Sequence, residues 1–225
     1  KLFNKAKHII CISNQTKKDL INIYKIDKNK ITVIYLGTKK KKFGIKKKKK
    51  FILFVGSRIK YKNFKKLVQA FASSQYLKKN YKIICFGDNP FGNQELKFFE
   101  NFGVLNNVEH LEGDDSQLEK LYREASLYVS VSLFEGFGLT LLEAMKFKCP
   151  VVCSDIPVFR EIYRDGCVYV KPKNVRSIKL GIENILKSSY KQKRLISNSN
   201  KIVNEYDWEK CVLNTSEIYK KIKNS

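Results

Sequence analysis

Short apolar segments alternate with longer amphipathic segments along most of this chain, and no other feature limits its possible folds as strongly. Eight apolar runs have the length and the β-branched and aromatic content of buried strands. They lie at residues 8–12, 31–35, 51–55, 81–86, 108–111, 127–131, 150–153 and 167–170. Because such near-continuous runs suit strands that are covered on both faces, they predict a parallel sheet.

The segments between these runs predict helices. Asn63 is a candidate N-cap, and Pro157 suits a first helical position. Ser116 and Glu119 fit a capping box. Further helices are expected at 15–25 and 175–187, with one or two more within 190–222. The repetition predicts an α/β fold, a doubly wound, Rossmann-like parallel sheet with extra C-terminal helices, whose ligands bind outside the carboxyl ends of the strands.

The chain is strongly basic, with 45 basic and 21 acidic side chains among 225 residues and a formal charge of +24. Nine lysines form one run, Lys39–Lys42 and Lys46–Lys50, for which we favour a solvated loop. This charge favours phosphates, anionic lipid or nucleic acid. Only six basic residues are arginines, whereas a nucleic-acid reader is expected to use more, so nucleic acid is not an expected partner. The apolar fraction of 43% excludes a largely disordered chain.

The cysteines and histidines form no recognisable metal site, and we expect no metal. No C-x-x-C spacing occurs, and most cysteines stand in or beside apolar runs, so we expect them to be buried and reduced. His8 and His110 are expected in or beside strands. No apolar run has the roughly 18–20 residues of a membrane span, and Lys1–Lys7 lacks the features of a secretory leader, so the expected location is the cytoplasm.

The first strand end with distinctive chemistry follows the run at 51–55. Gly56, with Ser57 beside it, would let the backbone approach a ligand closely. Arg58 offers a bidentate guanidinium, and Lys62 places a charge beside a predicted helix N-terminus. These residues suit a diphosphate, although spacing alone leaves a solvated basic turn equally open.

The second distinctive strand end follows the run LYVSV. Gly136 and Gly138 flank Phe137 where a loop becomes a helix, which permits unusual φ angles and leaves room for an anion at the helix start. Glu135 is expected in the loop and Glu143 in the second helical turn, so the two carboxylates could hold sugar rings on either side of a phosphate. The alternative is a capped helix with two solvated acids.

A third strand end, Gly87–Asn93, follows the run YKIICF and is rich in turn-forming residues. Its place after a predicted strand would let it line the same crevice. Such a sequence is more often an ordinary loop, so it indicates no function by itself.

Two of these strand ends together resemble a known family. The run EGFGLTLLEAM, Glu135–Met145, is similar to the E-x(7)-E signature of retaining family 4 glycosyltransferases with the GT-B fold. The run Phe54–Phe64, FVGSRIKYKNF, resembles their first strand, loop and helix, especially in mannosyltransferase-like members. The resemblance continues through Pro150–Pro157 and Glu161, and it spans about Ser13 to Trp208.

The resemblance implies roles for single residues. Arg58 and Lys62 match the pair that holds the nucleotide diphosphate, and Glu143 matches the acid that binds the ribose hydroxyls. Glu135 matches the acid near the donor sugar. The implied catalytic residues are Glu135, Arg58 and Lys62. The implied donor-binding residues are Gly56, Ser57, Arg58, Lys62, Gly136, Phe137, Gly138, Leu139 and Glu143. In many members the arginine directly follows the glycine, whereas Arg58 stands two residues after Gly56.

The resemblance also implies an activity, the transfer of a hexosyl group from a nucleotide-sugar with retained configuration and without a metal or other cofactor. GDP-mannose is the expected donor, and the acceptor would be a glycan or a lipid-linked molecule. The departing negative charge needs preorganised donors, which two cations and a helix start can supply.

The resemblance divides the chain into three parts. Residues 1–14 would be the last strand of an N-terminal acceptor domain and a hinge, 15–189 the nucleotide-sugar-binding domain, and 190–225 helices that cross back to the missing domain. The only methionine is Met145, so we expect the chain to be part of a longer protein and to have little activity by itself.

Other interpretations stay open. A non-catalytic basic adaptor would use Lys39–Lys50 to bind nucleic acid or an anionic membrane, with an affinity that falls steeply with salt. A GT-B nucleotide-sugar epimerase or phosphorylase is less favoured, because the paired motifs fit transferases better. Membrane association is compatible with an enzyme too, since lysines could hold it at the lipid that carries its acceptor.

Overall fold

All eight predicted strands are present in the computed structural model, which describes residues 2–38, 44 and 46–223. They are β1 (Ile9–Cys11), β2 (Ile31–Val33), β3 (Lys49–Val55), β4 (Lys82–Phe86), β5 (Val108–Leu111), β6 (Ala125–Ser130), β7 (Val151–Ser154) and β8 (Val168–Val170). The last six form one parallel sheet in the order β5–β4–β3–β6–β7–β8. The predicted α/β class is therefore confirmed.

Helices cover both faces of the six-stranded sheet. In chain order, all the α-helices of the described residues are α1 (Leu2–Lys5), α2 (Asn14–Tyr24), α3 (Phe64–Ala72), α4 (Gln75–Asn80), α5 (Asn93–Asn101), α6 (Asp115–Glu124), α7 (Leu139–Lys146), α8 (Pro157–Tyr163), α9 (Val175–Leu186), α10 (Ser189–Val203) and α11 (Trp208–Lys223). Side chains of α3, α4, α5 and α9 pack in one apolar cluster, and those of α6, α7 and α8 in another on the opposite face. The sheet is thus doubly wound, as its sequence predicts.

Strand β3 lies at the centre of the sheet and faces both clusters. Ile52 and Phe54 belong to the cluster with α3, while Phe51 and Leu53 belong to the cluster with α7, and all four are buried. Because side chains alternate between the faces of a strand, a centrally placed strand needs apolar residues at successive positions. This requirement explains the continuous apolar run after which the first candidate loop begins.

The first two strands form a unit of their own. Strands β1 and β2 pair in parallel in a small sheet of their own, with α2 as the connection between them. Cys11, Leu20 and Ile31 pack together beneath α2. Parallel strands require a crossover of this kind, so β1, α2 and β2 form one βαβ unit. The strand at 8–12 thus pairs within this chain, while the domain boundary after residue 14 stays a prediction.

The segment after β2 and the segment before α11 run side by side. The Thr38 amide donates to the Tyr206 carbonyl at 3.2 Å, and Thr38 forms a parallel bridge with Asp207. A Cβ on Gly37 would lie 2.2 Å from the Asp207 carbonyl carbon, so only glycine permits this approach. The segment after β2 and the segment before α11 are thereby held together. Helix α11 buries none of its residues, and its crossing to another domain stays a prediction.

Two predicted helix caps differ in detail. Asn63 is the N-cap residue of α3, as predicted, but its backbone is left-handed with φ of 60°, and its side chain makes no capping bond. The capping box of α6 consists of Asp114 and Gln117, rather than Ser116 and Glu119. The neighbouring Asp114 was available as an earlier cap, and it begins the helix two residues sooner than the sequence pattern indicates.

Part of the lysine run is built into the fold, whereas Lys39–Lys42 lie outside the described residues. Lys49 begins β3 and pairs with Glu124 at 2.7 Å, and Lys48 donates to the Arg123 carbonyl at 3.0 Å. Burial lowers the pKa of Lys48. The solvated-loop interpretation thus fails for these two lysines, because each has a partner in α6. Among the described residues, no helix is long and apolar enough to cross a bilayer.

Replacement of Gly181 by alanine tests the packing of α9 on the sheet. Alanine normally favours a helix interior over glycine by about 1 kcal/mol. A Cβ at this position would lie 2.3 Å from Val170 Cγ1, so we expect Gly181→Ala to lower the free energy of unfolding by about 1–3 kcal/mol. Urea denaturation measures the change. Gly92→Ala is the control, because nothing lies within 4 Å of its Cβ position, and equal stability of the two variants would contradict the prediction.

Candidate active site

Three loops meet at the carboxyl edge of the sheet, because β3 lies between β4 and β6. They are the β3 loop (56–63), the β4 loop (87–92) and the β6 loop (131–138). Adjacent parallel strands end at the same edge, so residues that are far apart in sequence come together there. All three loops are candidates from the sequence, and they are neighbours in the structure.

The β3 and β6 loops are joined through backbone and side chains. The Leu133 amide donates to the Tyr61 carbonyl at 2.8 Å, and the rings of Tyr61 and Phe134 stack with their centroids 4.7 Å apart. The Asn63 amide group donates to the Val131 carbonyl at 3.0 Å. The predicted N-cap asparagine therefore fastens one loop to the other, which explains why its side chain does not cap α3.

Lys62 and Glu135 form an ion pair between the same two loops. The Lys62 Nζ atom donates to Glu135 Oε1 at 2.8 Å, and the two side chains are 21% and 14% exposed. A pair at this depth is less screened by water than a surface pair. The ammonium group retains further donors beyond this bond, so it can contact a second anion while it holds the carboxylate.

The loop after Glu135 has a fixed shape. Gly138 has φ of +85°, and a Cβ there would lie 2.5 Å from a ring carbon of Phe159, so both strain and space require glycine. The Tyr163 hydroxyl lies 3.1 Å from the Phe137 carbonyl and 2.7 Å from the Gly138 carbonyl, to which it donates. The Phe137 side chain is buried in the core. Phe137 can therefore offer only its backbone to a ligand.

Helix α7 begins beside this loop without a side-chain cap, since Gly138 is its N-cap. The first N–H groups of a helix lack intrahelical acceptors and carry a partial positive charge. Leu139 is the first residue of α7, and Gly136 precedes it in the loop. A cap without a side chain leaves these N–H groups available to an anion, as the two glycines predict.

Glu143 lies in the second turn of α7, as predicted. The Tyr122 hydroxyl donates to Glu143 Oε2 at 3.1 Å. Burial raises the pKa of the Glu143 carboxyl, although the Tyr122 hydrogen bond and the charge of Lys146 act in the opposite direction. The carboxylate is thus held in place by one neighbour while its burial favours the protonated form in the absence of a ligand.

Glu143 lines a cavity of about 320 Å³ between α6 and α7. The lining residues are Gly37, Thr38, Asp115, Leu118, Glu119, Tyr122, Leu139, Glu143, Lys146, Phe147 and Trp208. The buried Tyr128 hydroxyl donates to Thr140 Oγ1 at 2.8 Å. Burial is the main cause that raises the pKa of Tyr128, and the charges of Glu135 and Glu143 raise it further. One buried residue is therefore within electrostatic reach of both acids, which lie on two sides of the α7 N-terminus.

Arg58 has different partners from Lys62. Its guanidinium group donates to the two carboxylate oxygens of Glu95 at 2.7 and 3.2 Å and to the Asn89 carbonyl at 2.7 Å. Lys62 turns to the β6 loop, where Glu135 lies, whereas Arg58 turns to the β4 loop and to Glu95 in α5. The predicted joint grip of these two cations on a diphosphate is thus not visible in their contacts.

Other predicted site residues lie where the sequence indicates. Gly56 follows β3 with φ of +100°, and its amide donates to the Phe86 carbonyl at 2.9 Å. Ser57 is half-buried beside it. Two further residues, Tyr122 and Tyr163, hold Glu143 and the β6 loop and were not predicted from the sequence. Each tyrosine places a hydroxyl on an otherwise apolar helix face, and this is the local pattern that could have indicated a buried hydrogen bond.

The cysteines and histidines agree with their predicted settings. All six cysteines are free, and Cys211 alone among them is not fully buried. His110 lies in β5, and His8 directly precedes β1. Within the described part of the chain, no group of three or more His, Cys, Asp or Glu side chains could hold a metal ion.

Comparison with known proteins identifies the family. The model described as glycosyl transferases group 1 matches residues 36–202, which is more than half of the chain. The chain therefore belongs to the group 1 glycosyl transferase family. The match begins just after β2.

The similar proteins support this family. O-antigen chain mannosyltransferase RfbU of Salmonella typhimurium is 32% identical over 209 residues, which are 91% of this chain and 57% of the relative. O-antigen chain mannosyltransferase B of Escherichia coli is 27% identical over 173 residues, 76% of this chain and 45% of that protein. This chain thus spans about half the length of these two relatives.

Solved structures share the fold. Alr3699/HepE of Anabaena, in complex with UDP and glucose, superposes with a TM-score of 0.81 at 20% identity, over 96% of this chain and 64% of that one. The six-stranded unit thus has the Rossmann-like architecture of GT-B glycosyltransferases.

Substitution of Tyr163 by phenylalanine tests the support of the β6 loop. Loss of the hydroxyl leaves the Phe137 and Gly138 carbonyls without this donor, so we expect the free energy of unfolding to fall by about 1–3 kcal/mol. Chemical denaturation measures the change. Tyr190→Phe is the matched control on an exposed tyrosine of α10, expected within about 0.5 kcal/mol of the parent. A Tyr163→Phe variant as stable as this control would contradict the assigned support.

Proposed function

We propose that this chain is the nucleotide-sugar-binding half of a retaining hexosyltransferase. The observation that carries the proposal is the arrangement around the α7 N-terminus, with the Lys62–Glu135 pair on one side and Glu143, beside a cavity, on the other. Cation, uncapped helix start and buried acid are the groups that a sugar nucleotide requires for its diphosphate and its hydroxyls. The family membership of the chain gives the same class of activity.

Each group has a role in this proposal. The nucleoside lies in the cavity, where Glu143 accepts hydrogen bonds from the ribose hydroxyls. The diphosphate lies against the α7 N-terminus and Lys62, beside the backbone of Gly56 and Ser57. Glu135 lies next to the donor sugar, whose polar groups also meet the backbone from Gly136 to Leu139. These assignments combine the geometry with the roles that the resemblance implies.

Catalysis then consists of stabilising the leaving group. The bond between the anomeric carbon and a diphosphate oxygen breaks, and its electron pair stays on that oxygen. The acceptor hydroxyl bonds to the same face of the sugar, and its proton passes to the departing diphosphate, which gains negative charge as the bond breaks. Lys62 and the α7 N-terminus stabilise that charge. We propose that these fixed donors suffice without a metal ion.

GDP-mannose is our proposed donor. Support comes from two relatives that are named O-antigen chain mannosyltransferases, one of them 32% identical to this chain. UDP-sugars are the alternative, and a comparison of the two nucleotides distinguishes them. The acceptor, a glycan or a lipid-linked molecule, would be bound by the remainder of the polypeptide, so this chain by itself is expected to show little turnover.

A basic adaptor is the weaker candidate. Its case rests on the net charge of +24 and on the lysine run. Within the described part of that run, Lys46 and Lys49 lie near Glu124, which reduces the charge available to a partner. Peripheral membrane binding of a cytoplasmic enzyme through Lys39–Lys50 stays compatible with the proposal.

Nucleotide binding tests the donor site directly. We expect GDP, and less strongly UDP, to raise the melting temperature of this chain, because saturation at 100 times the Kd adds about 2.7 kcal/mol. Glu143→Gln should weaken GDP binding about tenfold or more, since hydrogen bonds to a charged acceptor are lost. Glu100→Gln on the exposed face of α5 is the control. Absence of any shift at millimolar GDP and UDP, or equal affinity of the two variants, would reject the assignment.

The pH dependence of binding provides a second test. Burial raises the pKa of Glu143 above its ordinary value of 4.5, so the free protein keeps this proton to a higher pH. Ribose hydroxyls donate to the ionised form, and we therefore expect GDP affinity to rise with pH across the raised pKa, with release of a proton. Calorimetry in two buffers of different ionisation enthalpy measures that proton. The Glu143→Gln variant should show only the titration of the nucleotide phosphate, and an identical profile for both proteins would contradict the role.

A further inference from the structure

Arg58 is the most deeply buried cation of the three loops, with a side chain only 5% exposed. Its Nε and Nη2 atoms donate to Glu95 Oε1 and Oε2, which is the bidentate geometry of a strong Arg–carboxylate pair. Nη2 also donates to the Asn89 carbonyl, and the guanidinium carbon lies 4.7 Å from the centre of the Phe91 ring. These three interactions hold the Arg58 side chain against the segment that runs from the β4 loop into α5.

The β4 loop needs such support. Gly87 and Asp88 have φ of +82° and +66°, and the latter is a strained conformation for a residue with a side chain. The Asp88 carboxylate accepts the backbone amides of Arg58 and Asn89, both at 2.9 Å, and these bonds lower the pKa of Asp88. Arg58 therefore holds the loop twice, through its backbone amide and through its guanidinium group.

Glu95 connects this contact to helix α5. Its Oε2 atom also accepts the amide of Gly92, the N-cap residue of the helix, at 3.2 Å. One carboxylate thus joins Arg58 to the helix start. Although burial opposes the charge, the hydrogen bond and charge of Glu95 outweigh it and raise the pKa of Arg58. Arg58 therefore keeps its charge in this contact.

The β3 and β4 loops touch at their first residues. A Cβ on Gly87 would lie 3.9 Å from the Gly56 amide nitrogen, and that amide donates to the Phe86 carbonyl. A shift of the β4 loop would therefore move the Gly56–Ser57 backbone, which the proposed function puts beside the diphosphate. The Nε and Nη2 atoms of Arg58 would have to give up Glu95 and Asn89 to bind a phosphate, and Nη1, which has no hydrogen-bond partner, is buried.

We propose that Arg58 is a positioning residue that fixes the β4 loop as one wall of the donor site through Glu95 and Asn89, and that it does not itself bind the diphosphate. This inference rests on the proposed function for its ligand. It separates the two cations that the family resemblance pairs, because Lys62 remains available to the anion and Arg58 acts through the loop.

Glu95→Gln distinguishes the two roles, because they predict opposite results. If Arg58 positions the loop, Glu95→Gln and Arg58→Gln should each weaken GDP binding about tenfold, and the double variant should be no weaker, as for residues of one ion-pair network. If Arg58 binds phosphate, Glu95→Gln frees the guanidinium, so affinity should rise or stay unchanged. That second result would overturn the proposal.

Arg58→Lys gives an independent comparison. A lysine keeps the charge but cannot bridge both Glu95 oxygens and the Asn89 carbonyl. The positioning role predicts that this variant binds GDP as weakly as Arg58→Gln, whereas a phosphate ligand predicts recovery of most of the affinity. Arg176→Gln on the exposed face of α9 is the matched control. Gly181→Ala shows whether lower stability alone changes the affinity, which we do not expect.

Hydrogen exchange supplies a readout that does not depend on the nucleotide. Arg58→Gln and Glu95→Gln should both increase exchange at residues 87–92 and leave β6 and α7 unchanged. Unchanged protection of 87–92 in both variants would overturn the positioning role even if affinity falls. If the wild-type chain binds neither GDP nor UDP, the proposed function fails, while exchange at 87–92 still decides whether Arg58 holds the loop.

Discussion

The ion pair between Lys62 and Glu135 is the interaction on which the candidate site depends. Both side chains are largely buried, and a buried charge that loses its partner is strongly destabilised. Each therefore requires the other, and together they hold the β3 and β6 loops at a fixed separation beside the α7 N-terminus. A cation kept near a helix start by an acid is already in place for an anion, so little reorganisation is needed when a diphosphate binds.

The sheet topology explains why these residues meet although 73 positions separate them. Strand order β5–β4–β3–β6–β7–β8 makes β3 and β6 neighbours, while the helices that follow them, α3 and α7, lie on opposite faces. The chain thus leaves the sheet in two directions at this point and opens a crevice at the carboxyl edge. A site at this edge uses residues of several loops, and each loop must be held in place by contacts of its own.

Much of this organisation could be predicted from sequence, and the reasons differ between elements. The strands follow from local apolar runs, and the positions of Glu135 and Glu143 relative to α7 follow from the two glycines before the helix. The partner of Arg58 could not be predicted, because Glu95 lies 37 residues away and no local pattern marks the pair. Asn63 shows the same limit. It is the N-cap residue that its local pattern predicts, but its side chain donates to a carbonyl of the β6 loop instead of capping the helix.

The connections to the rest of the chain also bear on the site. Tyr35, after β2, and Tyr206, before α11, pack against each other with ring centroids 5.6 Å apart, and Tyr206 packs against Phe137 of the β6 loop at 5.7 Å. Glu161 accepts the Tyr35 hydroxyl at 3.0 Å as well as two amides of the first turn of α2. Burial, with this hydrogen bond, raises the pKa of Tyr35 to about 12, so the hydroxyl remains a donor. The backbone that faces the proposed donor sugar is therefore supported from behind by the two segments that lead out of the six-stranded unit, and a change in their relative position would reach the site through Phe137.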